Sequence, residues 1–227
     1  MERTTAVIHV VSPTYHLRFA NPCMLTLHNG IRYPKYFLGT YRLAREGCYA
    51  AVKCAIDAGY LGVDTGSIYR NEQYVASAIR DSKKPVFIQT KIQPSDMGHK
   101  EAIAAFEGSL KQLQVPIVDM LLINWPGKAK VALSSQEHRK ARIETWRALE
   151  EIYRSGRAKS IGVSNFTVTH LEQLIEDGAE VVPMVNQIEV HAQLQQRELV
   201  KYCRYHKIIA QAYSPFGGNT APVLKLL

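Results

Sequence analysis

Seven short apolar runs alternate with longer amphipathic stretches along this chain. The runs are "YFLGT" at 36–40, "LGVD" at 61–64, "VFIQTK" at 86–91, "VDMLLIN" at 118–124, "KSIGVS" at 159–164, "MVNQIEV" at 184–190 and "IIAQAYS" at 208–214. Most are too continuous for strands with one wet face, and they fit a parallel sheet covered on both sides. Between them apolar residues recur at helical spacing. Cys48, Ala51, Val52, Ala55 and Ile56 keep the i, i+3, i+4, i+7, i+8 pattern, and Gly59 ends that helix. Asn71 is placed to cap a helix reaching about Ser82. Ile103, Phe106, Leu110 and Leu113 form another stripe, and Ile143, Trp146, Leu149 and Ile152 a third that stops at Gly156. Thr167 is placed to cap a helix carrying Leu171, Leu174 and Ile175, and Leu199, Tyr202 and Cys203 mark the last one.

Alternating strands and helices predict an α/β protein, either an open doubly wound sheet or a (β/α) barrel. The first strand is followed by "GTYRLAREG", which lacks the G-x-G-x-x-G turn of the open sheet. Before it stands "MLTLHNGIRYP", where Asn29-Gly30 reads as a two-residue hairpin turn. Such a hairpin suits the floor of a barrel. Polar residues decide between the two architectures. Asp64, Lys91, Asn124, Ser164, Asn165 and Tyr213 fall at or just past the C-terminal ends of different runs, where barrel enzymes build their sites.

Length and charge narrow the picture further. The 227 residues suffice for one large domain or two small ones, and for a substantial core. No apolar run approaches the roughly 18 residues of a spanning helix, so no membrane role is expected. Lys and Arg number 28 against 20 Asp and Glu, a formal charge of +8, which attracts anions. The basic residues are scattered, without the aromatic–basic interleaving of RNA-binding sheets, so nucleic acid is not the expected partner. The four cysteines contain no C-x-x-C pair and read as reduced thiols. The first 22 residues show neither a secretory signal nor the amphipathic Arg spacing of a presequence. A cytoplasmic location is expected, with residues 1–22 as a poorly ordered extension and 23–227 as the barrel domain.

Six stretches together resemble the aldo-keto reductases over about residues 23–219. They are "DTGSIYRNE" (64–72), "QTK" (89–91), "LLINWPG" (121–127), "IGVSNF" (161–166), "PMVNQIEVH" (183–191) and "AYSPFG" (212–217). The resemblance implies a TIM-type (β/α)8 barrel that uses NADPH, without a metal, to reduce a small aldehyde or ketone. Tyr69 would be the proton donor, Lys91 the ammonium beside it, and Asp64 the partner of Lys91. Ser164, Asn165 and Gln187 would hold the nicotinamide carboxamide, Tyr213 would stack on the ring, and Ser214 would approach the pyrophosphate or neighbouring backbone. Tyr41 and Trp125 would wall the substrate pocket.

Three departures from the family pattern carry weight. Asn124 stands where most members have histidine; an amide can orient a carbonyl but cannot titrate. Weak reductase activity is one expectation, and a non-catalytic dinucleotide-binding sensor or an inactive member is the alternative. Gln93 stands where an aromatic is common and predicts a more polar or more open pocket wall. The sequence reaches Leu227 soon after the seventh run. The eighth strand and the arginine that grips the adenosine 2′-phosphate are therefore missing from the pattern. The expectation is an incomplete barrel of about seven strands, with NADPH-versus-NADH preference open and an exposed edge available for oligomer formation.

Overall fold

The computed structural model describes residues 7–11 as backbone, and residues 23–218 in full. The remainder of the expected extension, 1–6 and 12–22, and residues 219–227 lie outside the described residues. In chain order the strands are β1 (Val7–Val11), β2 (Met24–Thr26), β3 (Arg32–Pro34), β4 (Tyr36–Gly39), β5 (Gly62–Asp64), β6 (Phe87–Ile92), β7 (Met120–Ile123), β8 (Ile161–Ser164), β9 (Val185–Glu189) and β10 (Ile209–Tyr213). The helices are α1 (Arg45–Asp57), α2 (Glu72–Ser82), α3 (His99–Leu113), α4 (Glu137–Arg154), α5 (Val168–Glu176) and α6 (Arg197–Tyr205).

β4 to β10 are the seven parallel strands that the apolar runs predict, each pairing with the next. The eighth position is filled from the N-terminal side. β1 runs antiparallel to both β4 and β10, and the ring closes in the order β1, β10, β9, β8, β7, β6, β5, β4. Val10 is opposite Ala212 on one side and Tyr36 on the other. Strand edges left unpaired carry unsatisfied N–H and C=O groups. β1 covers the seam between β4 and β10, pairing with β10 at Ala212 and Gln211 and with all of β4.

The floor of the barrel is the β2–β3 hairpin. Its turn differs from the two-residue form expected. The Leu27 carbonyl accepts from the Gly30 amide and the Leu27 amide donates to the Ile31 carbonyl, both at 2.9 Å. The loop is therefore three residues, 28–30, with Gly30 at φ +87 and Asn29 on the ordinary side. A glycine in the left-handed region after a turn is the three-residue solution of a hairpin. Asn29 Nδ2 instead donates to the Lys159 carbonyl at 3.0 Å, which fastens the hairpin below β8. Tyr33 is fully buried against Phe37 and Phe87, with ring centroids 5.0 and 5.3 Å away. Gly62 makes room for this cluster, because a Cβ there would lie 2.6 Å from the Phe37 ring.

All six helices form where the stripes place them, and Cys48, Val52, Phe106, Trp146, Leu149, Leu171, Leu174 and Cys203 of those stripes are buried, whereas Ile175 of the α5 stripe is exposed. Thr167 caps α5 through a capping box with His170. Asn71 does not cap α2 with its side chain. Its Nδ2 donates to the Thr40 and Leu43 carbonyls at 2.8 and 2.9 Å, and its Oδ1 accepts from Thr65 at 3.1 Å. The amide is spent tying the loops after β4 and β5 together at the barrel mouth. Among the described residues, no helix is long and apolar enough to cross a membrane.

Candidate active site

The strand ends converge on one cavity of about 270 Å³ at the C-terminal mouth. Ten of the expected site residues line it: Asp64, Tyr69, Asn124, Ser164, Asn165, Gln187, Tyr213, Ser214, Tyr41 and Trp125. Lys91 lies beneath, joined to the cavity through Tyr69. Gly39 and Ile68 complete the lining, and neither carries a polar side chain that would have marked it in the sequence. Gln93 takes no part: its Nε2 donates to Asp96 at 2.8 Å, which spends the amide away from the cavity. Of the two expectations for this position, the polar wall is therefore not formed by Gln93.

Asp64 ends β5 and Lys91 lies near the end of β6, so parallel pairing brings them together across one strand spacing. Lys91 Nζ donates to Asp64 Oδ1 at 2.5 Å, to the Thr65 carbonyl at 2.9 Å and to Tyr69 Oη at 3.3 Å. Those three bonds use all three ammonium protons. Burial works against the charged lysine, but the Asp64 carboxylate and the Tyr69 oxygen outweigh it and hold Lys91 above its ordinary range. Tyr69 sits on the short helical turn Ser67–Tyr69, which closes through Arg70 in the left-handed region at φ +55. Burial raises its phenol and the Lys91 ammonium draws it back; the net direction is upward. The phenol is therefore protonated at neutral pH and has a cation ready for the phenolate.

Asn124 follows β7 and is 7% exposed. Its backbone is fixed at both ends: its amide donates to the Ile92 carbonyl at 2.9 Å, and its carbonyl accepts from Asn165 Nδ2 at 2.9 Å. The side-chain amide is left to face the cavity. Asn165 has φ +63 and Ser214 φ +47, so two non-glycine residues stand in the left-handed region at the ends of β8 and β10. Ser164 Oγ donates to the Gln187 carbonyl at 2.8 Å and accepts from Asn165 at 3.1 Å. Tyr213 Oη donates to Asn165 Oδ1 at 2.8 Å, and burial pushes its phenol up to about 12. Gln187 Nε2 is occupied by Asp64 and Gln211, which turns Oε1 into the group available as an acceptor. A carboxamide offers two N–H donors and one acceptor. Asn165 Oδ1 and Gln187 Oε1, beside the Tyr213 ring, can accept from those N–H groups, while the donors of Ser164, Asn165 and Gln187 are engaged within the protein.

At the outer lip, Tyr41 and Trp125 are half-exposed, and the Tyr41 ring lies 5.2 Å from that of Tyr69. Arg142, buried on α4, donates to the Pro126 carbonyl at 3.1 Å and to Gln173 at 2.5 Å, which anchors the turn bearing Trp125. Among the described residues, no group of His, Cys, Asp and Glu side chains could hold a metal ion.

Residues 35–222 match the model of the aldo/keto reductase family. A glyoxal reductase of Bacillus subtilis is 42% identical over 193 residues, covering 83% of this chain and 66% of that protein. An aldo/keto reductase of Brucella melitensis, solved as a crystal structure, superposes with a TM-score of 0.79 at 38% identity, covering 89% of this chain and 77% of that one. A Bombyx mori aldo-keto reductase solved in complex with NADP superposes with a TM-score of 0.77 at 31% identity, covering 86% of this chain and 67% of the other. This chain belongs to the aldo/keto reductase family. It spans about two thirds of the length of the Bacillus subtilis relative.

Proposed function

We propose that this protein reduces a small aldehyde or ketone to an alcohol with NADPH, using Tyr69 as the proton donor. The observation that carries this reading is the Asp64–Lys91–Tyr69 chain, which ends at the cavity shared with Ser164, Asn165 and Gln187. When bound, the nicotinamide supplies a hydride to the carbonyl carbon. The residues of this chain do the rest. Ser164, Asn165 and Gln187 hold the carboxamide, and Tyr213 lies along the ring. Tyr69 gives its proton to the carbonyl oxygen, and Lys91 stabilises the phenolate that remains. Asn124 donates an amide hydrogen bond to the same oxygen as negative charge develops. Tyr41 and Trp125 cover the substrate. Relatives named as glyoxal and methylglyoxal reductases support 2-oxoaldehydes as the first substrates to try.

A second reading is favoured by Asn124 alone: a member that binds the dinucleotide and reports its redox state with little turnover. NADPH titration by fluorescence, followed by NADPH oxidation with a panel of aldehydes, separates the two. Binding with turnover supports the reductase. Binding without turnover supports the sensor. Absence of binding rejects both.

A further inference from the structure

Three glutamines meet on the barrel axis beneath the ion pair. Gln89 of β6, Gln187 of β9 and Gln211 of β10 are all buried. Gln89 Nε2 donates to Asp64 Oδ1 at 2.7 Å and to Gln211 Oε1 at 2.9 Å. Gln187 Nε2 donates to the same two oxygens, at 3.1 and 3.0 Å. Two amide nitrogens and two oxygens thus form a closed ring of four hydrogen bonds. A primary amide has two N–H donors, so both nitrogens are fully used. From the floor, the Tyr33 hydroxyl donates to Gln89 Oε1 at 2.8 Å, which fixes the direction of that amide. The oxygen of Asp64 that takes both amides is the one that takes Lys91.

Packing alone does not account for this cluster. Amides inside an apolar barrel are costly unless paired, and Gln211 Nε2 is buried with no partner.

We propose that Gln89, held by Tyr33 and sharing Gln211 with Gln187, is a positioning residue: it clamps Asp64 so that Lys91 stays against Tyr69. The inference rests on the reductase reading given above. Two amide dipoles solvate the Asp64 carboxylate and fix which oxygen faces Lys91. Without Gln89, Oδ1 loses a donor, the carboxylate is free to turn, and Lys91 loses its fixed distance to Tyr69. The groups facing the Tyr69 phenol are Lys91 of β6, Asp64 of β5, Tyr41 of the loop after β4 and Tyr213 of β10. Lys91 draws the phenol down and Asp64 drives it up. Loss of the Gln89 dipole both loosens Lys91 and leaves more of the Asp64 charge unscreened. Each change moves the Tyr69 titration upward.

The test is the tyrosinate absorbance titration of Tyr69, read as each protein minus its own Tyr69→Phe partner. It needs no turnover, so a protein that fails to reduce aldehydes still tests the clamp. Gln89→Met is expected to shift the Tyr69 midpoint upward and to lower kcat on the order of tenfold, as a small misplacement does. NADPH affinity should stay within about twofold, since Gln89 is away from the cavity lining. Tyr33→Phe should move both readouts the same way by less, and Tyr33→Phe with Gln89→Met should equal Gln89→Met alone. A folded Gln89→Met whose Tyr69 midpoint matches wild type overturns the proposal. If Gln89→Met does not fold, Tyr33→Phe decides: an upward midpoint supports the clamp and an unmoved one overturns it.

Discussion

Lys91 Nζ lies 2.5 Å from Asp64 Oδ1, with both side chains at most 2% exposed. A buried pair of this kind stores its importance in what remains when one partner goes. Asp64→Asn leaves the lysine with an uncompensated charge or forces it to lose its proton. Destabilisation of about 3–5 kcal/mol is expected, read by urea denaturation. Reductase turnover should fall with it, because a neutral Lys91 no longer stabilises the Tyr69 phenolate. Equal stability in Asp64→Asn and wild type would remove the ion pair from the account.

The same pair predicts an alkaline weakness. Lys91 and Tyr69 are both held above their ordinary values of 10.5 and 10.0. A group that binds its proton more tightly when folded contributes stability below its unfolded pKa and loses it as pH rises through the folded one. Wild type should therefore lose stability above about pH 10 more steeply than a Lys91→Met, Tyr69→Phe double variant. Thermal melts from neutral to strongly alkaline pH check this. A parallel decline in the two proteins would contradict it.

Asn124 limits the chemistry through what it cannot do. Its amide offers a donor to the carbonyl oxygen but no titrating proton. Asn124→His should raise kcat for aldehyde reduction by about 100-fold, the low end of what a positioned acid group contributes. NADPH affinity should hold. An unchanged or lower rate would mean that the amide is not the weak point of the site.

β1 carries a prediction about the barrel as a whole. Val10 is opposite both Ala212 of β10 and Tyr36 of β4. Val10→Pro removes a backbone donor from that ladder and should lower the melting temperature by several degrees. NADPH titration should weaken as well, since β10 leads into Tyr213. A melting temperature equal to wild type would show that β1 does not hold the seam.

Much of this was legible in the residues. The period of the apolar positions located all seven parallel strands and all six helices, because strands covered on both faces and helices against a sheet leave strong patterns. Polar residues at the ends of the runs located the cavity, because a side chain past a barrel strand has only the mouth to face. What the pattern missed shares a physical cause. "VIHVV" was too short to separate from an apolar scrap, and its partners are 25 or more residues away in sequence, so nothing local announced a strand. Gln89 and Gln211 were in view inside "VFIQTK" and "IIAQAYS". Their meaning depends on two strands aligning them at the same depth, which a single run does not state. Asn71 looked like a helix cap, and tertiary carbonyls from Thr40 and Leu43 outbid the helix for its amide.

The central claim is that Tyr69 supplies the proton in carbonyl reduction. It is tested most directly by following NADPH oxidation with a 2-oxoaldehyde, wild type beside Tyr69→Phe, with cofactor affinity measured for both. The account predicts turnover in wild type that falls by at least about 100-fold in Tyr69→Phe, at unchanged NADPH affinity. Equal rates in the two proteins would contradict it.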